Sequence, residues 1–335
     1  MTGTAPLNRR LSVAPMMDWT DRHCRYFLRL ISRHTLLYTE MVTSGALIHG
    51  DRERFLQYNE TEHPVALQIG GSNPTDLAQC SRYAEEWGYD EVNLNVGCPS
   101  DRVQNGGIGA CLMKKPALVA DCIKAMQDSV SIPVTVKHRI GVNGRESWDN
   151  LVDFVGQIAD TGCKTFVVHA RIAILEGLSP KENRDIPPLK YDWAYKLKQT
   201  FPELEIILNG GVTTLDQTEQ HLKHLDGVMI GREAYNNPWV LAEADQRIFG
   251  QENHSFSRHD VVEKMIPYVQ QHIDSHEKHS LNHISRHMLG LFNGMLGARR
   301  FRRLLSENAH RPDAVAELLR EASVFCLPPE TGTMV

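Results

Sequence analysis

The sequence predicts an α/β protein, a (β/α)8 TIM barrel followed by a small all-helical C-terminal domain. Eight short, apolar, β-branched runs recur along the first 230 residues, and stretches with helical periodicity lie between most of them. The runs are almost continuously apolar, which is typical of parallel strands covered on both faces. After Phe249-Gly250 the alternation stops and the remaining pattern is helical.

The predicted strands follow one another at spacings of about twenty to forty residues, which suits repeated βα units. Helix start signals, such as Asn73-Pro74 and Lys115-Pro116, mark the helices between them. An open doubly wound sheet is the competing fold, but the first βα turn, residues 14–18, lacks its G-x-G-x-x-G fingerprint. The strand runs are 11–14, 35–39, 65–69, 91–95, 134–137, 165–169, 205–208 and 227–230.

The end of the alternation divides the chain into a predicted barrel domain, 1–249, and a predicted helical domain, 250–335. The periodicity there predicts helices over 261–276, 284–305 and 314–325. Gly290, Gly294 and Gly297 lie on the middle helix and lower its propensity, so we expect them to serve a close approach between helices.

Composition narrows the class of protein. With 335 residues, 41% hydrophobic and 23% charged, the chain is an ordinary globular protein. Its seven cysteines are scattered without C-x-x-C spacing, which argues against a disulfide framework or a metal site and favours a reducing cytoplasm. No long apolar run or signal peptide is present, so we expect a soluble cytoplasmic protein with no membrane contact and no implied stable protein partner. A net charge of −5 means that any nucleic acid must bind a local basic patch.

One thiol stands at a predicted strand end. The run 91–96 breaks at Gly97 and Pro99, which leaves Cys98 on a loop beside backbone that can approach a ligand closely. Loops at strand ends carry chemistry in many proteins. The alternative is that Cys98 is a small buried hydrophobe, the usual fate of a free cysteine.

In a barrel, the polar residues at the strand C-termini share one rim. Loops after strands seven and eight commonly bind phosphate, and here they offer bare backbone N–H groups and one guanidinium. A phosphorylated cofactor is therefore implied, although a Gly-Gly pair alone could be a simple turn. The rim residues are Met16, Met17, Gln68, Asn95, Cys98, Lys137, His169, Asn209, Gly210, Gly211, Gly231 and Arg232.

Lys137 and His169 are two titratable residues of this rim. Lys137 is the last residue of its predicted strand, so its ammonium group should point into the mouth of the barrel. A buried ammonium without a partner is costly, so we expect an anionic partner such as a reduced flavin. The alternative for Lys137 is snorkelling to solvent. For His169 there are two alternatives: it contacts a cofactor, or it is a core histidine whose ring is hydrogen-bonded within the protein.

Several motifs carry a family resemblance over the whole chain. Together they are similar to the tRNA-dihydrouridine synthases. Met-Met-Asp-Trp-Thr near the N-terminus and residues 177–184 resemble the bacterial A-type branch in particular, which the family associates with positions 20 and 20a of the tRNA D-loop. The motifs are residues 14–22, 68–71, 93–100, 136–141, 168–171, 209–211 and 231–233.

The resemblance implies an FMN-binding barrel followed by a helical RNA-binding domain. It implies that NADPH reduces FMN, that hydride passes from flavin N5 to uracil C6, and that Cys98 protonates C5, with Asn95 facing the same base. An unperturbed thiol pKa of about 8.5 suits such a donor. The implied cofactor contacts are Pro15, Met16, Met17 and Gln68 to the flavin ring, Lys137 and His169 to its polar edge and side chain, and Asn209, Gly210, Gly211, Gly231 and Arg232 to the phosphate.

A basic cluster offers an approach for tRNA. Residues 286–311 contain six arginines against Glu307 alone, and Arg299, Arg302 and Arg303 share a helix face by their spacing. Lys181 and Arg184 are expected to form a second contact. The alternative is a solvated helix face.

Two other functions compete with this hypothesis. One is an FMN barrel oxidoreductase of the dihydroorotate dehydrogenase kind, acting on a free pyrimidine, which does not explain the arginine-rich appendage. The other is a non-catalytic tRNA-binding module with a degenerate barrel, which does not explain Cys98, Lys137 and His169. The sequence leaves the oligomeric state and the preference for NADPH over NADH open.

Overall fold

A computed structural model describes residues 7–252, 255–275 and 280–326. The chain forms two compact units. The first consists of the described residues of Met1–Asp18 and Thr35–Gly231, and the second of those of Trp19–His34 and Arg232–Val335. Residues 19–34 and 232–249 therefore group with the C-terminal helices, although the sequence assigns them to the barrel domain. The functional division of the chain at 249/250 stays a prediction.

The first unit contains a closed barrel of parallel strands, ordered β1 to β8 around the ring. Each predicted run coincides with a strand, and β1 pairs with β8 to close the ring. The predicted TIM barrel is confirmed. The strands are β1 Leu11–Val13, β2 Leu36–Thr43, β3 Val65–Gly70, β4 Glu91–Val96, β5 Val134–Arg139, β6 Thr165–His169, β7 Glu205–Asn209 and β8 Gly227–Ile230.

Alternate side chains of each strand point into the barrel. On one side of the interior these side chains form a dry apolar cluster of buried residues. Another part of the interior, along β3, β4 and β5, is lined by buried polar side chains. The apolar cluster consists of Ala14, Leu36, Tyr38, Ala66, Val167, Ile207 and Met229.

Helices of the first unit follow the start signals in the sequence. Asn73 accepts hydrogen bonds from the backbone N–H groups of Thr75 and Asp76, with Pro74 at the first helical position. The helices are α2 Ser44–His49, α3 Arg52–Leu56, α4 Pro74–Glu86, α5 Asp101–Asn105, α6 Pro116–Gln127, α7 Trp148–Ala159, α8 Tyr191–Thr200 and α9 Leu215–His221. Short 3-10 helices lie at Glu60–Glu62, Gly109–Lys114 and Glu182–Arg184.

The second unit is helical. Asp21 caps its first helix and also accepts hydrogen bonds from Arg286 (2.6 Å) and His287 (3.0 Å). The rings of Phe292 and Phe301 pack edge to face, with centroids 4.8 Å apart. The helices are α1 Arg22–Ile31, α10 Arg232–Asn236, α11 Ala244–Arg247, α12 Arg258–Asp274, α13 Asn282–Met288, α14 Ala298–Asn308 and α15 Leu318–Ser323, with a 3-10 helix at Pro238–Leu241.

The predicted single helix over 284–305 is wrong, because the chain forms two helices there, α13 and α14. Gly294 and Gly297 have φ angles of 82° and 86°, which a helix interior does not allow. Gly290 and Gly297 do serve close approaches, since a Cβ at Gly290 would clash with the carbonyl oxygen of Asn236 and one at Gly297 with the carbonyl oxygen of Phe325, whereas a Cβ at Gly294 would meet no neighbouring atom. The helix predicted over 314–325 is shorter in the structure, where α15 spans Leu318–Ser323. The helix predicted over 261–276 corresponds to α12, and its predicted last residue, His276, lies outside the described residues.

Membrane-spanning helices and metal clusters are both absent from the described residues. Within them, no helix is both long and apolar enough to cross a membrane. Within the same residues, no three His, Cys, Asp or Glu side chains come together in a way that could hold a metal ion.

Candidate active site

The loop that carries Cys98 is held in place by hydrogen bonds to its backbone. The side-chain oxygen of Asn95 accepts hydrogen bonds from the N–H groups of Gly97 (3.1 Å) and Cys98 (3.0 Å). The carbonyl of Cys98 accepts a bond from the N–H of Ala110 at 2.9 Å. The Cys98 side chain is partly exposed and packs against an apolar cluster of Met41, Val103 and Ile108. A rigid loop therefore presents an accessible thiol.

A buried guanidinium ties this loop to its neighbour. Arg139, at the end of β5, is 2% exposed and donates to the carbonyls of Gly97 (3.0 Å), Ile172 (3.2 Å) and Asn183 (3.0 Å). No carboxylate pairs with it among the residues that the structure describes. Burial lowers the pKa of Arg139 to about 10, so the group stays charged at neutral pH.

The loop after β6 is organised around Asn183. The buried Asn183 side chain accepts from the N–H of Ile174 (2.8 Å) and donates to the carbonyl of Ile174 (2.8 Å). It also donates to the carbonyls of Leu178 (3.2 Å) and Ser179 (3.3 Å). Lys181 and Arg184 lie exposed on this loop. Their cations are thus presented by a folded segment.

Lys137 and His169 line the interior at the C-terminal ends of β5 and β6. Burial, with a smaller contribution from Arg139, lowers the pKa of Lys137 to about 7. Burial and the neighbouring cations hold the pKa of His169 well below its ordinary value, so its ring is neutral. In the described part of the chain no carboxylate pairs with Lys137. An anionic ligand beside Lys137 would favour its protonated, charged form.

The turn after β7 requires two glycines. Gly210 and Gly211 have φ angles of 118° and 74°, in the region that side chains rarely adopt. A Cβ at Gly210 would lie 2.8 Å from the His169 ring, and one at Gly211 would lie 2.6 Å from Leu189. The Tyr191 hydroxyl donates to the Gly210 carbonyl at 2.8 Å. The bare backbone thus comes directly beside His169.

The remaining predicted phosphate residues fall into different units. Asn209 donates from its side chain to the carbonyl of Met229 (2.8 Å) and so joins β7 to β8. Gly231 is the last residue of the barrel unit, whereas Arg232 begins α10 and belongs to the second unit. Asn209 thus has a structural partner already, while Arg232 follows Gly231 directly in the chain.

The predicted flavin-ring residues differ in exposure. Pro15 and Met16 are partly buried after β1, and the Met17 side chain is 54% exposed. Gln68 is buried, and its amide bonds to Asn93 (2.8 Å) and Asn95 (2.9 Å). Gln68, Asn95 and the Cys98 loop therefore form one connected group.

The arginines of α14 are not equivalent. Arg299 is exposed, and Arg302 donates to the side-chain oxygen of Asn293. Arg303 pairs with Glu307 at 2.8 Å, so its charge is compensated. Within the described residues, neither Arg299 nor Arg302 has a carboxylate partner.

Sequence reasoning missed the residues that hold the site together. The sequence could have indicated Arg139, because it lies two residues beyond Lys137 and so faces the same side of β5. No sequence feature shows that the Asn183 side chain organises its loop. Asn93 and Thr135 looked like neutral strand residues.

A barrel rim with an accessible thiol, a buried lysine and a glycine turn lies at the C-terminal ends of the strands, where the active sites of TIM-barrel enzymes are found. The family described as dihydrouridine synthase (Dus) matches residues 12–325. The chain belongs to this family.

Individual relatives match over nearly their full length. The chain is 64% identical over 319 residues to a tRNA-dihydrouridine(20/20a) synthase of Pseudomonas syringae pv. tomato, covering 95% of this chain and 94% of the relative. It is 65% identical to the Pseudomonas putida protein of the same name, covering 91% and 90%. It is 60% identical to the Vibrio cholerae protein of that name, covering 93% and 95%.

Proposed function

We propose that this chain reduces uridine to 5,6-dihydrouridine at positions 20 and 20a of the tRNA D-loop, with FMN as cofactor and NADPH as reductant. The observation that carries the proposal is the accessible Cys98 thiol, held at a barrel mouth whose buried cations call for an anionic ligand. The name that its relatives carry supports tRNA as substrate and these two positions.

The rim residues fit FMN. Lys137 offers a cation with no described carboxylate partner, and His169 offers a neutral ring. The bare backbone N–H groups of Gly210 and Gly211 would bind the phosphate, and Arg232 would add a guanidinium. Pro15, Met16, Met17 and Gln68 would contact the flavin ring, and Asn209 and Gly231 would complete the phosphate site. When bound and reduced by NADPH, FMN would supply the hydride for C6 of the uracil.

Cys98 would protonate C5 of the same base. Its thiol is accessible, and its loop is held by Asn95 and Arg139. A fixed thiol meets the first requirement of general acid catalysis, which is that the donor lies within hydrogen-bond reach of the reacting atom. Asn95 would face the base with its remaining amide hydrogen. The uridine has to leave its stack to reach this site.

Exposed cations would guide the tRNA. Lys181 and Arg184 lie on the loop after β6, and Arg299 and Arg302 lie on α14. In a chain with a net charge of −5, such local positive charge is what a polyanion requires. Dihydrouridine mapping in tRNA from a strain that lacks the protein tests the whole proposal. Loss of the base at positions 20 and 20a alone, restored by the wild-type chain, is the expected result.

The cofactor assignment predicts a yellow protein whose FMN affinity depends on Lys137. Lys137→Met keeps the length of the side chain but removes the cation, so FMN affinity should fall about tenfold or more, the worth of one charge-assisted contact. Arg232→Ala should lower it in the same direction. Flavin absorbance during titration of the apoprotein measures both.

Lys124→Met is the matched control for the cofactor test. Lys124 lies on the outside of α6, where it pairs with Asp128, and its loss should leave FMN affinity unchanged. A wild-type protein that is colourless and does not take up added FMN would overturn the assignment.

The tRNA assignment predicts a change in the salt dependence of binding. Arg299→Ala combined with Arg302→Ala should weaken binding of every tRNA. It should also lower the slope of log K against log[salt] by up to about 0.7 to 0.9 for each phosphate that the variant no longer neutralises. FMN content should not change. Filter binding over a range of salt concentrations gives the slope.

Arg303→Ala is the control for this pair. Its charge is already compensated by Glu307 on the same helix, so its loss should alter the slope much less. An unaltered slope in the double variant would show that the arginines form only a solvated face.

A further inference from the structure

A continuous line of buried polar side chains runs inside the barrel along β3, β4 and β5. Glu91, Asn93 and Asn95 occupy alternate positions of β4 and therefore point into the barrel together. Gln68 on β3 and Thr135 on β5 face them across the strand register. The exposure of these five residues ranges from 0% to 8%. Buried polar groups are costly unless they are hydrogen-bonded, so the partners decide what this arrangement does.

Each member of the line bonds to the next, and we call Glu91, Thr135, Asn93, Gln68 and Asn95 the polar relay. Its last member, Asn95, accepts from the backbone N–H groups of Gly97 and Cys98. The bonds run from the Asn95 amide nitrogen to Gln68 (2.9 Å), from Gln68 to Asn93 (2.8 Å), from Asn93 to Thr135 (2.8 Å) and from Thr135 to Glu91 (2.6 Å).

The groups at the two ends of the relay determine which atom donates and which accepts in each of its hydrogen bonds. A carboxylate can only accept, so the Thr135 hydroxyl has to donate to Glu91 and can accept only from an amide nitrogen of Asn93. That orients Asn93, which in turn orients Gln68 and then Asn95. At the other end, the N–H groups of Gly97 and Cys98 can only donate, so they need the oxygen of Asn95. Both requirements are met by the same orientation of all three amides.

Glu91 is itself firmly held. The Arg9 guanidinium donates to one of its oxygens at 2.6 Å, and the Tyr38 hydroxyl donates to the other at 2.6 Å. Arg9 also bonds to Glu205 (3.1 Å), which accepts from the Thr165 hydroxyl (2.7 Å). The acceptor that sets the direction of the relay therefore cannot turn away.

Filling the barrel does not require polar residues at these positions. The opposite side of the interior is packed by Val167, Ile207 and Met229, all fully buried. Val167 and Ile207 are register partners on β6 and β7, and Val167 is the register partner of Lys137. Along β3, β4 and β5 the line of polar residues ends at the Cys98 loop, which links them to the thiol rather than to packing alone.

We infer that Glu91, Thr135 and Asn93 are positioning residues for the Cys98 thiol, acting through Gln68 and Asn95. The inference rests on the proposed role of Cys98. Without the hydroxyl of Thr135, the orientation of the three amides is held from the Cys98 end alone. When the amides turn over, Asn95 presents its NH2 group to the N–H groups of Gly97 and Cys98, and the loop has to move.

Thr135→Val is the decisive variant, since it keeps the shape of the side chain and removes the hydroxyl. It should slow tRNA-dependent reoxidation of the reduced enzyme about tenfold, the rate equivalent of one hydrogen bond. Reduction by NADPH should change much less, because that half-reaction does not use the thiol. The rate of Cys98 alkylation by iodoacetamide, followed by peptide mass spectrometry, should also shift. Thr135→Ser keeps the hydroxyl and should restore both rates to within about twofold of wild type.

Thr165→Val is the matched control. It also removes a buried hydroxyl that donates to a carboxylate, but its partner is Glu205, which is not a member of the polar relay and is connected to Glu91 through Arg9. Its stability loss should be similar, with no change in Cys98 alkylation. Thr135→Ala supplies a second hydroxyl-free variant should the valine protein fold poorly.

The relay has no positioning role if the hydroxyl-free variants only lower the melting temperature, or if Thr135→Ser is as slow as Thr135→Val. Alkylation separates this inference from the proposed function. A wild-type protein that forms no dihydrouridine would refute the function, whereas the alkylation difference between the valine and serine variants would still decide whether the relay holds the thiol.

Discussion

Replacing Cys98 with alanine should slow dihydrouridine formation by roughly 10²–10⁴-fold, the contribution of one positioned general acid. Bound FMN and its reduction by NADPH should be unaffected, because the thiol acts only on the uridine. Rapid-mixing absorbance at the flavin band separates the two half-reactions. The first should proceed at the wild-type rate, and the reoxidation that follows addition of tRNA should nearly stop.

Cys111→Ala is the control for this variant. Cys111 is the other half-buried cysteine of the barrel unit, its sulfur bonds to the Ile108 carbonyl at 3.2 Å, and burial raises its pKa. Its loss should leave both half-reactions intact. Dihydrouridine formation at the normal rate in Cys98→Ala would mean that Cys98 is only a small residue packed on Met41 and Val103.

The barrel was predictable because each strand is specified locally. Near-continuous apolar runs separated by capped helices leave little choice but a parallel sheet with both faces covered. The broken helix between α13 and α14 was not predictable with the same certainty. A glycine lowers helix propensity whether it interrupts a helix or permits a close approach, and only the positive φ angles of Gly294 and Gly297 show that the helix is interrupted here.

The candidate site was predictable only in part. Strand ends identified Cys98, Lys137 and His169 as rim residues, because a barrel brings the C-terminal ends of its strands together. The contacts that hold them join residues distant in sequence, such as Arg139 with Gly97 and with Asn183. No local pattern encodes such pairs. The roles of the rim residues stay predictions.

The long-range hydrogen bonds of Arg139 require a charged side chain to be buried, which costs free energy. Burying a guanidinium without a carboxylate partner is unfavourable, and burial accordingly lowers its pKa. The chain tolerates that cost because three carbonyls, of Gly97, Ile172 and Asn183, would otherwise lose their donor. One side chain thus holds the loop that carries the thiol and the loop that carries Lys181 and Arg184.

Arg139→Met should therefore lower the free energy of unfolding by about 3 kcal/mol or more, since each buried acceptor left without a donor costs about 1–3 kcal/mol. Both loops should loosen together. Urea unfolding measures the stability, and limited proteolysis within residues 171–187 together with Cys98 alkylation measures the two loops. Dihydrouridine formation should fall along with both.

Arg145→Met is the matched control for this last variant. Arg145 lies six residues further along the chain and pairs with Asp153 at 2.8 Å, but both side chains are partly exposed, so the pair is worth at most about 1 kcal/mol. The control should leave proteolysis and alkylation unchanged. If Arg139→Met loosened only one of the two loops, the guanidinium would serve that loop alone, and the coupling between the thiol and the predicted tRNA contacts would have to run through other residues.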